Sequence, residues 1–152
     1  MHSRHSPDRR PIAAAAVLVC AALAGCAGGV ESSGSASLGG MQCVDDSWEC
    51  INKRQAALKT LMADKDRRWV KEPATPQGYA SGVRLFAYRG KKKEMTCDEL
   101  LAGRREADAA PGTLRGPGGA GLTPAQVSRS VMLAAEVGKE LGNEYNRRCK
   151  KA

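Results

Sequence analysis

The chain has 152 residues, a formal net charge of +8 and a pI of about 9.4, with 42% hydrophobic but only 4% aromatic residues. Its two histidines, His2 and His5, both fall in a stretch laid out like a removable export signal. The remainder then lacks an imidazole, which excludes Ser-His-Asp and Cys-His centres, histidine metal sites and c-type haem, and its length suits one domain.

Arg9 and Arg10 open the signal, and Ile12 to Leu23 follow as an apolar run of 12 residues. That run is shorter than the ~20 residues of a membrane span. Next comes Leu23-Ala24-Gly25-Cys26, which resembles the lipobox of bacterial lipoproteins. The resemblance covers only this signal. It implies removal of residues 1–25 and a new N-terminus at Cys26, carrying diacylglycerol on its sulfur and usually another acyl chain on its amino group. Two or more chains hold a protein stably on a bilayer. In these lipoproteins Asp after the cysteine commonly retains the protein in the inner membrane. Ala27 stands there instead, which implies the periplasmic side of the outer membrane in a Gram-negative host. Pro11-Ile12-Ala13 after the two arginines departs from a twin-arginine signal, so Sec and Tat export both stay open.

Residues 26–42 read as the lipidated cysteine and a flexible linker, since 9 of the 16 residues from Ala27 to Gln42 are Gly or Ser. Residues 43–152 read as the folded domain. Cys43, Cys50, Cys97 and Cys149 remain there, an even count that reads as two disulfides in an oxidising compartment. Three pairings exist. Antiparallel helices, one opened by Cys97 and one closed by Cys149, favour Cys97–Cys149 and leave Cys43 for Cys50. A zinc site fits poorly, because the nearest pair is spaced C-x6-C, and no C-x-x-C redox pair occurs.

The domain reads as all-α, a small bundle of about four helices. Asp46 and Glu49 have capping-box spacing for a helix to about Lys65, with Cys50, Arg54, Ala57, Leu58, Leu61 and Met62 on one face. Thr75-Pro76 opens a second helix through Tyr79, Val83, Phe86 and Gly90, although Val83–Tyr88 also alternates as a strand would. Thr96 and Glu99 cap a third, which Pro111-Gly112 is expected to stop. Thr123-Pro124 opens the last, with a stripe of Val127, Val131, Ala134, Gly138, Leu141, Tyr145 and Cys149. Ala134, Gly138 and Gly142 would admit a close partner helix. Trp48 and Trp69 are expected to cover the two ends of the first helix.

No cofactor, metal or catalytic residue is expected. Gly116 to Thr123 has the spacing of a Walker A loop, but Leu122 replaces its lysine and no strand precedes it. Glu106, between Arg105 and Asp108, raises the question of a peptidoglycan-cleaving enzyme such as a lytic transglycosylase. The flanking arginines favour its ionised form, however, and the Glu-Ser signature of those enzymes is missing, so a solvated helix face is expected. Arg89, Lys91, Lys92 and Lys93 form the densest charge run and the candidate anion-binding site.

These features point to a lipid-anchored envelope protein of structural or interaction type, not an enzyme, with another envelope component as partner. The alternative is a binder of anionic polymer or lipid, such as peptidoglycan or lipopolysaccharide, through the basic run. Nucleic acid is not expected, since no aromatics interleave the charges.

Overall fold

The computed structural model describes residues 40–150. The signal, Cys26 and most of the linker lie outside the described residues. Five helices lie within them: α1 (Trp48–Ala63), α2 (Pro76–Ser81), α3 (Val83–Lys91), α4 (Cys97–Arg115) and α5 (Pro124–Arg148). Short 3-10 turns occupy Arg68–Lys71 and Pro117–Gly119, and no strand occurs among the described residues. The fold is all-α, with disulfides Cys43–Cys50 and Cys97–Cys149. No helix among the described residues is long and apolar enough to cross a membrane.

Local chemistry accounts for the helix starts. Thr75, Thr96 and Thr123 each accept a hydrogen bond from the backbone three residues on, and α4 and α5 carry reciprocal capping boxes with Glu99 and Gln126. At α1 the cap is Ser47, one residue later than expected, whose Oγ accepts from the Cys50 N–H at 3.2 Å. Asp46 instead faces Arg54 and Arg129, at 3.6 and 3.1 Å.

The helix boundaries differ from expectation at two places. The second predicted helix is two helices, α2 and α3, because Gly82 between them has φ 72° and cannot continue a right-handed helix. Beyond it Val83–Tyr88 is helix, not strand. Pro111 does not stop α4, which continues to Arg115. Ala110 and Leu114 are buried in that final stretch, and their packing offsets a proline penalty of about 3 kcal/mol. At the start of the described residues, 40–41 are helical and Met41 is buried in the core cluster. Burying Met41 stabilises this start, and Gly40 lies so close to α1 that a Cβ there would be 2.4 Å from the Ala57 Cβ.

Contacts between helices fix their directions. Ile51 and Leu58 of α1 adjoin Val83 and Phe86, while Met62 touches Gly90, so α1 and α3 run parallel. Arg129 of α5 reaches Asp46 at its start, and Glu140 reaches Arg89 farther along, so α5 runs the same way. Helix α4 opposes it, with Ala107 against Gly138 and Cys97 bonded to Cys149. The starts of α1, α3 and α5 therefore share one end of the bundle with Cys43–Cys50. Their C-termini share the other with Cys97–Cys149. Leu85, Tyr88, Met95, Leu100, Val137 and Leu141 fill the space between. Trp69 joins them, edge-on to Tyr88 with ring centroids 4.8 Å apart. Trp48 does not cover the core; it is 77% exposed.

Candidate functional site

The corner at Gly82 borders a concave surface. A groove of about 920 Å³ runs between that corner and the N-terminal half of α5, with Phe86, Met132 and Leu133 among its lining residues. Phe86 and Met132 are 44% and 70% exposed. A smaller hollow, lined by Ile51, Leu58 and Val83, adjoins it through Arg54, Ser81 and Phe86. Ion pairs bracket the apolar surface. Asp46 bridges Arg54 and Arg129 on one side, and Arg89 pairs with Glu136 and Glu140 on the other. The rim charges are largely balanced, so the groove suits an apolar segment better than a polyanion.

Sequence reading placed Phe86 on the buried face of one continuous helix, and the break at Gly82 turned it outward. Met132 and Leu133 carried no assignment. Met132 was legible in principle as an apolar residue outside the α5 core stripe.

Carboxylates pair with three of the four cations in the candidate anion-binding run. Arg89 donates to Glu136 and Glu140, and Lys92 donates to Glu140. The Arg89 guanidinium first, then the Lys92 ammonium, hold the Glu140 carboxyl below the usual range. Lys91 pairs with Glu94 at 2.9 Å. Lys93 is exposed and makes no ion pair among the described residues. Sequence reading missed what Arg148 does beside it. Its guanidinium donates to the carbonyls of Lys92, Lys93 and Met95 at 3.3, 3.0 and 2.9 Å, joining the α5 C-terminus to the α3–α4 turn.

Glu106 is not on a solvated face. Its carboxylate accepts from Arg84 Nε at 2.8 Å, Arg84 Nη2 at 2.6 Å and the Tyr88 hydroxyl at 3.1 Å. Burial, then the Glu106 charge, pushes the Tyr88 phenol well above its usual range and keeps it protonated as a donor. Arg84 also donates to the carbonyls of Trp69 and Glu72, tying the 3-10 segment to α3 and α4. The three hydrogen bonds that Glu106 accepts thus brace the core.

The two disulfides sit at opposite ends of the bundle, so the four sulfurs do not gather. Cys43, Asp45 and Cys50 bring potential ligand atoms within 4.8 Å of one another, but both sulfurs are committed to the disulfide. The glycine-rich segment from Gly116 folds into the Pro117–Gly119 turn against Leu114, where a Cβ on Gly119 would strike the Leu114 carbonyl at 1.9 Å. Comparisons with protein-family models, with curated proteins and with solved structures find no match to this chain.

Proposed function

We propose that this chain is a lipid-anchored bacterial envelope protein, held through Cys26, that acts by contacting another envelope protein rather than by catalysis. The observation that carries this reading is the groove at Phe86, Met132 and Leu133. Exposed apolar side chains gathered in a concavity mark binding surfaces, because leaving them in water forfeits the free energy their burial would release. The occupant that fits is an apolar segment of a partner protein, seated between the two sets of rim ion pairs. The lipobox and Ala27 support a place on the periplasmic side of the outer membrane.

The test is photocrosslinking in cells, with a reactive residue at Met132 and a control at Lys139, which is exposed and outside the groove. One envelope protein should be captured from Met132 and not from Lys139, and mass spectrometry of the same material should show acylated Cys26. Capture of no protein from Met132, with the chain folded and acylated, would overturn the contact reading.

A further inference from the structure

We propose that the bundle end formed by the α3–α4 turn and the α5 C-terminus lies against anionic phospholipid headgroups and orients the domain on its tether. This rests on the anchor at Cys26. The first observation is the Arg148 bridge, which brings the basic residues of two distant segments to one surface. Lys93, Arg147 and Lys150 are exposed there. Arg147 pairs with Glu144 at 2.5 Å, yet the Arg147 side chain is 62% exposed and that of Glu144 only 9%. The cation faces outward and its counter-charge inward.

Most acidic groups at this end are already engaged, Glu99 by Arg67 and Asp64 by Arg68 among them, while Asp66 is exposed and makes no ion pair among the described residues. Glu94 holds Lys91, Glu140 holds Arg89 and Lys92, and Glu144 holds Arg147 and Arg148. Asp98 is exposed in the first turn of α4, where the helix dipole favours a carboxylate. The outward balance remains positive, which an anionic leaflet attracts within about 10 Å of its surface.

The path of the chain selects the lipid surface over other anions. From Cys43, bonded to Cys50, the backbone moves to Gly40, which lies against Lys53 and Ala57. It thereby advances along α1 toward Met62, the same end of the bundle. Thirteen residues separate Cys26 from Gly40. A Gly/Ser chain of that length spans roughly 20 Å, and the remaining half-length of α1 is about 12 Å. The tether therefore reaches with this end facing the headgroups.

The experiment is hydrogen exchange on the full lipidated chain in vesicles of phosphatidylethanolamine with phosphatidylglycerol, compared with phosphatidylcholine alone. Amides at 92–96 and 146–150 should be protected only with phosphatidylglycerol, and about 0.5 M salt should abolish the difference. The variant Lys93→Gln/Arg147→Gln/Lys150→Gln, which spares Arg148 and the core, should lose that protection at unchanged acylation. Removing each charge should weaken the contact roughly fivefold. Equal exchange in both vesicles, with Cys26 acylated, would overturn the proposal and leave the anchor standing. An unacylated Cys26 would overturn the anchor instead. Flotation with phosphatidylglycerol vesicles then decides the surface: co-flotation at low salt upholds it and its absence overturns it. Protection produced equally by inorganic phosphate without vesicles would also overturn it.

Discussion

Arg84 meets Glu106 through a two-pronged contact, Nε to Oε1 at 2.8 Å and Nη2 to Oε2 at 2.6 Å, with side chains only 3% and 9% exposed. A buried pair of this kind is costly to break because the survivor keeps its charge without its partner. Glu106→Leu should lower unfolding free energy by about 3–5 kcal/mol. Arg84→Met/Glu106→Leu should cost clearly less than the two single changes added, with a coupling of about 1–3 kcal/mol in urea unfolding. Strict additivity would show that the contact carries little energy.

The two disulfides should differ in what they contribute. Cys97–Cys149 closes a separation of 52 residues and Cys43–Cys50 one of 7. Loop-closure entropy assigns about 4 kcal/mol to the first and about 2.5 to the second. Thermal melts of Cys97→Ala/Cys149→Ala should therefore fall further than those of Cys43→Ala/Cys50→Ala. The reverse order would mean that the 40–47 segment anchors more of the fold than its length suggests.

Close helix packing predicts opposite results at two glycines. A Cβ at Gly103 would lie 2.5 Å from Tyr88 Cδ1 and 3.0 Å from Leu141 Cδ1, both in the core. Gly103→Ala should destabilise by about 1–3 kcal/mol despite its better helix propensity. At Gly138 the nearest atoms, on Ala107 and Asp108, stand at 3.4 Å. Gly138→Ala should be neutral or stabilise by up to about 1 kcal/mol. Chemical denaturation of both variants decides the matter, and equal losses would contradict the contrast.

Acid should weaken the α3–α5 contact. Hydrogen bonds from Arg89 first and Lys92 second lower the Glu140 pKa from its ordinary 4.5. A depressed carboxylate contributes stability that is full above the unfolded value and is lost as pH falls through the folded one. The unfolding free energy from urea melts should therefore drop on acidification below about pH 4.5, by no more than about 1 kcal/mol from this partly exposed group. Glu140→Gln should flatten that part of the profile. Parallel pH profiles for both proteins would remove Glu140 from the acid response.

The parts of the fold legible in sequence were those fixed by local chemistry. Thr75, Thr96 and Thr123 announced helix starts, and the α5 stripe marked its buried face. The favoured disulfide pairing followed from helix ends. What escaped depended on distant partners. Pro111 reads as a stop unless the burial of Leu114 beyond it is known. Glu106 looks solvated until Arg84, 22 residues earlier, arrives from α3. The basic run looked like one site, although Glu136 and Glu140 from α5 occupy Arg89. The groove escaped for a similar reason, since a periodicity read across Gly82 turns Phe86 inward.

Gly82 also limits how this surface can diversify. Its φ of 72° disfavours side chains, and a Cβ there would press on Leu133 Cδ2 at 2.9 Å. Mutation can therefore do little to the corner of the groove without moving α3. Met132 lies on the opposite wall with most of its surface in water, so exchange there carries little folding penalty. Under the proposed contact, lineages should vary at 132 while keeping glycine at 82, a pattern of fixed corner and free rim readable from sequences alone.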